Sequence, residues 1–375
     1  MHKNIYLFCD TRFHKNNYYY STGQFTSNCW SKYCKKKNKL HVYGKNWNNF
    51  NGSIDELNKH DIDNVKIFTP NKDTKYSKFK YILNTIKIIY RNKHFIIQGA
   101  GEYASMCALI CILLKKKYLI EVNGCPYLSY KYYGTLFAKL YAPFKKYIYQ
   151  FIVKKAYACH YVTEKYLQKK YPTKRTSIAC NNFKISEIVL PKTDTSINTN
   201  QQMLNIGFVI MCPKPFKGIN RIVEIINNIN NNNIKFHIIG YNINEALNNH
   251  KIKPNLLNYV CYKPLTKDKF VNKWLRNIDV LLNLSYTEGI SRTLLEAMYL
   301  KKFIISVNVS EHLRLLSKIQ IIDEYSKDHI INRVNYIEKN RLFCKSEGLR
   351  NHEKIQLELI ENKFEKLQKF YSMNV

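Results

Sequence analysis

A chain of 375 residues with an apolar fraction of 45% is comfortable for two folded domains. Its 60 Lys and Arg against 27 Asp and Glu give a formal charge of +33, far from ordinary, which favours an anionic partner surface. The 11 cysteines lack CxxC spacing and their number is odd, which excludes a disulfide framework, and the longest apolar run, 104–114, is too short to span a bilayer.

Part of the charge follows a compositional bias toward Lys, Asn, Ile and Tyr. It is also uneven. Residues 1–183 hold 32 basic and 9 acidic residues, a balance of +23; residues 184–375 hold 28 and 18, a balance of +10. The cysteines read as reduced thiols. The first apolar run, 5–9, is too short for a secretory signal and ends in Asp10. These features lead to the expectation of a cytoplasmic protein, soluble or peripheral on the inner face of a membrane.

In chain order, residues 4–9 read as a buried strand and 21–35 as a helix. Residues 40–43 and 65–68 are short strands. A helix follows over 79–90, with Tyr81, Ile82, Ile86 and Ile89 at helical spacing. Then come a strand at 95–98, a helix at 102–114 and a strand at 118–122. Such alternation builds a parallel sheet covered on both faces. A basic, aromatic helical region occupies 130–158. Its mixture of Lys with Tyr and Phe fits either a membrane-interface helix or a helix on the sheet with its lysines in water. A strand at 159–163, a helix at 164–170 and a strand at 177–180 close this half.

Residues 189–203 are polar and break both periodicities, as a linker does. The pattern then restarts with a strand at 205–211, a helix at 219–230, and strands at 235–239 and 260–262. A helix at 267–276 and strands at 280–284 and 303–307 follow. A last helix spans 350–371, with Ile355, Leu359, Leu367 and Phe370 on one side. The predicted fold class is α/β, with two Rossmann-like domains. Residues 1–188 form the first, 189–203 the linker and 204–345 the second; the terminal helix, 346–375, is free to return to the first.

The stretch 285–298, SYTEGISRTLLEAM, carries the clearest chemistry. Glu288 sits in a loop before a Gly289 turn. Ser291 opens a helix that carries Glu296. The first N–H groups of a helix lack partners and, with the helix dipole, favour an anion. Two carboxylates beside them can accept hydrogen bonds from hydroxyls. The combination suits a ligand built as sugar, diphosphate and ribose. Asp61-Ile62-Asp63 reads as a solvated turn in a Lys- and Asn-rich loop, so no metal site is inferred.

Lys217-Gly218, the strand ending at Gly240, the strand 278–285 and the EGISRTLLEAM string together resemble the donor-binding half of family 4 glycosyltransferases of the GT-B fold. The resemblance implies a retaining, metal-independent transferase that needs no cofactor. Glu288 would face the transferred sugar, and Glu296 the ribose. The backbone around Gly289, Ile290, Ser291 and Arg292 would hold the diphosphate, with Gly218 in the donor site and Lys217 neutralising the leaving group. Gly23 and Asn123 would lie on the acceptor side. The acceptor would be a saccharide or lipid-linked saccharide of a surface polysaccharide, capsule or lipopolysaccharide. The basic first half would meet an anionic membrane surface. The chain departs from the family pattern at Cys212, where an Arg is usual, at Asn123, where a His is usual, and at Ser310, within a turn that is usually Gly-rich. Lys214 and Arg292 are candidate replacements for the missing Arg. The alternatives are a sugar-nucleotide epimerase of the same fold, a member that binds donor without transfer, and a basic nucleic-acid-binding protein. No nucleic-acid motif supports the last.

Overall fold

The computed structural model describes residues 3–21, 27–33, 37–47, 57–71, 74–182, 197, 203–210, 214–229, 231–240, 259–262, 274–360 and 363–375. Two compact units emerge. One comprises Met1–Tyr127, Ala142–Asn182 and Asn362–Val375, and the other Leu128–Tyr141 and Phe183–Glu361. Residues 128–141 therefore group with the second unit, and within the C-terminal tail only the last segment groups with the first. Most of the expected linker lies outside the described residues.

The first unit contributes strands β1 (Asn4–Lys15), β2 (Tyr19–Ser21), β3 (Lys39–Asn46), β4 (Asn58–His60), β5 (Val65–Phe68), β6 (Phe95–Gln98), β7 (Tyr118–Val122), β8 (Ala158–Tyr161) and β9 (Thr176–Ala179). The parallel order is β5-β3-β1-β6-β7-β8-β9. The far end of β1 pairs antiparallel with β2, and β2 with β4. Strand β1 outruns the expected 4–9 because it continues through an irregularity between Phe8 and Arg12. Of the helix expected over 21–35, Ser27–Lys32 forms a 3-10 helix, and Ser21 ends β2 instead.

Helices α1 (Lys75–Arg91) and α2 (Glu102–Leu113) follow β5 and β6. The region expected as one helix divides into α3 (Pro126–Lys131) and α4 (Leu136–Lys155). Gly134 takes a left-handed φ of 96°, and the Thr135 hydroxyl accepts from the Ala138 N–H at 3.3 Å, which restarts the helix. Helix α5 (Tyr166–Lys170) precedes β9.

The second unit is parallel throughout. Its strands are β10 (Leu204–Ile210), β11 (Ile234–Gly240), β12 (Tyr259–Tyr262), β13 (Val280–Asn283), β14 (Phe303–Val307) and β15 (Ile321–Ile322), in the order β12-β11-β10-β13-β14-β15. This is the doubly wound arrangement in which strand order reverses between the first and fourth strands. Helix α6 (Ile219–Asn228) follows β10, with Ile219, Ile222, Ile225 and Ile226 buried at helical spacing. Helix α7 (Arg292–Tyr299) follows β13, and α8 (His312–Leu315) follows β14. Helices α9 (Lys327–Lys339), α10 (Arg341–Ile360) and α11 (Lys363–Asn374) complete the chain.

The terminal helix is thus two helices, and its apolar residues serve two cores. Ile355 packs into the second unit's cluster. Leu367, Phe370 and Tyr371 pack into the first. Asp61 is solvated, its carboxylate 2.8 Å from the Lys59 ammonium. The helix expected at 267–276 lies mostly outside the described residues.

Candidate functional site

In the second unit the strand order reverses between β10 and β13, and ligands of such sheets bind at the carboxyl ends of the strands beside that reversal. Lys217 leaves the end of β10, and Glu288 leaves the end of β13. The sheet brings these residues together although 71 positions separate them: Lys217 Nζ lies 2.8 and 3.0 Å from the two Glu288 oxygens. Gly218 makes the approach possible. Its φ is +77°, and a Cβ there would sit 2.3 Å from the Leu284 carbonyl oxygen. The Phe216 carbonyl accepts from the Tyr286 N–H at 2.9 Å, pinning the two loops to each other.

Tyr286 is clamped from both sides. Its ring stacks on Tyr132 at 4.5 Å, and the Arg221 guanidinium lies 3.6 Å from its centroid. Residues 128–141 also reach the Lys217 turn, where Lys214 donates to the Tyr133 hydroxyl at 3.1 Å.

The Glu288 side chain is only 13% exposed. Burial alone would raise its pKa. The Lys217 charge and hydrogen bond, with a Ser285 hydrogen bond, outweigh burial and hold the carboxyl below the usual range. Glu288 is therefore a carboxylate at neutral pH and an acceptor for hydroxyls.

Helix α7 begins where the sequence places it. Ser291 is its N-cap, accepting from the Leu294 N–H, and receives a hydrogen bond from the Asn283 amide at 3.3 Å. One turn on, the Arg292 Nε donates to Glu296 Oε1 at 2.8 Å. Glu296 is nearly buried, whereas Arg292 is 28% exposed. Two cation–carboxylate pairs therefore bracket the Gly289–Ile290 turn and the start of α7. In each, the cation is the more exposed member. A ligand carrying phosphates and hydroxyls can engage both members of both pairs.

The turn after β14 supports this loop. Ser310 adopts a left-handed φ of 56°, and its hydroxyl donates to the Gly289 carbonyl. Behind it, His312 is fully buried. Its Nδ1 lies 2.7 Å from Ser306 Oγ, and that hydroxyl itself donates to the Val307 carbonyl at 3.0 Å. Nδ1 therefore carries the proton, and among the described residues Nε2 is an acceptor without a hydrogen-bond partner. Burial pushes the His312 pKa down to about 4, so the ring is neutral. Sequence reasoning missed His312. Nothing in SEHL distinguishes it from any other histidine, because its tautomer follows from a contact with β14.

Of the remaining sequence candidates, Gly23 and Cys212 lie outside the described residues. Asn123 is exposed in the first unit, against Gly99, whose φ is +82°. The first unit instead shows a buried polar cluster that the sequence did not announce. Glu121 accepts from the Tyr33 hydroxyl at 2.6 Å, from Lys32 at 2.9 Å, from the Asn182 amide at 2.9 Å and from the Tyr371 hydroxyl at 3.1 Å. Burial would raise the Glu121 pKa, but Lys32 and the hydrogen bonds hold it well below the carboxylate range. Among the described residues, no group of three or more His, Cys, Asp or Glu could hold a metal ion.

Residues 206–354 match the glycosyl transferases group 1 family. The chain is 29% identical over 294 residues to protein CapJ of Staphylococcus aureus, covering 76% of this chain and 73% of CapJ. It superposes on the sucrose-phosphate synthase of Thermosynechococcus elongatus with a TM-score of 0.72 at 11% identity, over 99% of this chain and 98% of that one. Anabaena HepE in complex with UDP and glucose gives 0.68 at 10% identity, over 99% and 100%. These likenesses show the two-domain GT-B fold.

Proposed function

We propose that this chain, whose residues 206–354 match the glycosyl transferases group 1 family, is a retaining glycosyltransferase. It moves a sugar from a nucleotide-diphosphate sugar to a saccharide or lipid-linked saccharide, in the building of a surface polysaccharide. The carrying observation is the Lys217–Glu288 pair at the strand-order reversal, beside the start of α7.

In this reading the diphosphate lies at the α7 N-terminus, among the N–H groups of Gly289, Ile290, Ser291 and Arg292. Glu288 accepts from hydroxyls of the transferred sugar, and Glu296 from the ribose. Lys217 turns from Glu288 toward the leaving diphosphate as negative charge builds there. Arg292 provides a second, planar cation for the same oxygens, the role that Cys212 cannot fill. The acceptor hydroxyl attacks the anomeric carbon on the face from which the diphosphate leaves. The new glycosidic bond forms as the old one breaks, and the departing diphosphate oxygen takes the acceptor proton. No side-chain base is required, and with two cations and a helix terminus in place the proposed reaction uses no metal.

HepE has been crystallised with UDP-glucose, which supports this donor chemistry. The test is a thermal-shift screen of the full chain against UDP-, GDP- and ADP-sugars, followed by product analysis with the stabilising donor. Stabilisation by one of them and a product that retains the donor's anomeric configuration are expected. Turnover of the donor without an acceptor, to an epimer, would replace transfer by epimerisation. Loss of turnover in EDTA would overturn the metal-free scheme.

A further inference from the structure

Helix α1 carries an apolar stripe that the fold does not use. Tyr76, Phe79, Leu83, Ile86 and Tyr90 recur at spacings of three and four, so they line one face. Their side chains are 75%, 59%, 50%, 37% and 67% exposed. The helix is held by its other face, where Thr85 and Ile89 are buried and the Tyr81 hydroxyl donates to the Gly44 and Phe68 carbonyls. A row of five large apolar residues in water is the mark of an interaction surface.

The stripe belongs to a layer of three helices. The Thr85 and Tyr103 hydroxyls join α1 to α2 at 3.0 Å. Lys145 joins α4 to α2 through Ser105 at 3.1 Å and Glu102 at 3.0 Å. Within the first unit, α4 adds the exposed rings of Phe144, Tyr147 and Phe151, and Leu113 at the end of α2 is 80% exposed.

The charge of this layer has one sign. The first unit's residues 75–127 and 142–155 contain 13 Lys or Arg and two acids, Glu102 and Glu121. Glu121 is buried in its cluster, and Glu102 faces Lys145. Helix α1 itself has five cations, Lys75, Lys78, Lys80, Lys87 and Arg91, and no acid.

We propose that the α1–α2–α4 layer of the first unit docks on an anionic lipid surface, with the α1 stripe in the headgroup boundary. The combination of charges and rings selects this occupant. A second copy would set five cations against five cations along the same stripe. A nucleic acid would answer the cations but leave Leu83 and Ile86 without an apolar partner. An anionic bilayer answers both, because its boundary accepts aromatic and aliphatic side chains and its surface attracts Lys and Arg. At 17 residues, α1 would lie along the surface for roughly 25 Å. Among the described residues no helix is long and apolar enough to cross a membrane, so docking rather than insertion is at issue.

The test is co-sedimentation of the full chain with vesicles of phosphatidylcholine alone or mixed with an equal part of phosphatidylglycerol. The chain should sediment with the mixed vesicles only, and added salt should release it. Phe79→Ser with Leu83→Ser, and separately Lys78→Gln with Lys87→Gln, should each weaken binding roughly tenfold or more. Both pairs change exposed side chains, and thermal melts establish that each variant folds. Equal binding to neutral vesicles would overturn the proposal, as would wild-type binding by either variant. A wild-type dimer that the Phe79 and Leu83 substitutions dissociate would assign the stripe to a second copy and also overturn it.

Discussion

Replacing Lys217 by Ala separates what this residue does for the fold from its proposed part in the reaction. The ammonium is 2.8 Å from Glu288, with side chains 27% and 13% exposed. Removing one member of a fully buried pair costs about 3–5 kcal/mol, whereas an exposed pair is worth about 0–1 kcal/mol. This partly shielded pair falls between, so Lys217→Ala should destabilise the chain by about 1–3 kcal/mol. Adding Glu288→Gln removes the stranded charge and should restore most of that loss. Turnover should behave differently. Preorganised charge at a leaving group is worth about 2–4 kcal/mol, so Lys217→Ala should slow transfer roughly 30- to 1000-fold. The double variant should stay slow.

The pH dependence has a definite sign. In the wild type, Glu288 is held below its ordinary value. Its contribution to stability is thus full above the unfolded carboxylate pKa, about 4.3, and is lost as pH falls through the folded value. Without Lys217, burial becomes the dominant influence and raises the Glu288 pKa. The variant's penalty is then present at neutral pH and relieved as pH falls through the raised value. Urea unfolding at stepped pH should show the stability gap closing on acidification. A gap that stays constant from neutral pH to about 4, or a double variant no more stable than Lys217→Ala, would refute the pairing argument. Near-normal turnover in Lys217→Ala would refute the catalytic one.

Glu296→Ala should abolish donor-induced stabilisation, which at a hundred times the dissociation constant amounts to about 2.7 kcal/mol in the wild type; an undiminished thermal shift would remove Glu296 from the site. Gly218→Ala forces a Cβ to within 2.3 Å of the Leu284 carbonyl at a φ of +77°. It should cost more than about 1 kcal/mol in urea unfolding and depress turnover by separating Lys217 from the loop after β13. Ser310→Ala loses the hydrogen bond to Gly289 while keeping the left-handed backbone, a loss of about 1 kcal/mol. Ser310→Gly loses the same bond but relaxes the backbone, so it should be the milder change; equal costs would show that the backbone there carries no strain.

Strands made of short apolar runs were legible residue by residue. Val65–Phe68, Phe95–Gln98, Tyr118–Val122 and Phe303–Val307 fall where the sequence alone puts them. Helical periodicity said less, because it reveals an apolar face without saying what that face meets. In α1, Ile86 keeps the spacing of a core residue yet belongs to the outer stripe, while Thr85 beside it is buried. In the tail, Ile355 and Leu367 share a predicted face but pack into different units. The start of α7 was legible because its parts are local: Ser291 caps the helix within the string that suggested it. Its link to Lys217 depends on β10 lying beside β13, which strand order alone supplies. The Ser310 and His312 contacts arise from one tight turn, and no periodicity encodes them.

The two units share the same pattern of strand reversal, so the fold offers two sites of one kind. They are not equivalent. In the first unit the reversal lies between β1 and β6, and the helix that follows β6 is α2. Two of its leading N–H groups are already taken, since the Asp10 carboxylate accepts from Tyr103 and Ala104, each at 3.1 Å. Lys45 pairs with the same carboxylate. Even a Cβ on Gly101 would meet an Asp10 oxygen at 2.0 Å. The chain has thus placed its own anion where a phosphate would go, and a second anion there would meet its repulsion. In the second unit, Ser291 caps α7 with a neutral hydroxyl, and the nearby charges are the cations of Lys217 and Arg292 paired with carboxylates that hydroxyls can share. The same sheet order therefore gives one helix start occupied by a carboxylate of the chain and one capped by a neutral hydroxyl. That asymmetry, from side chains rather than from fold, is the physical ground for placing the proposed donor on the second unit and leaving the first for the acceptor.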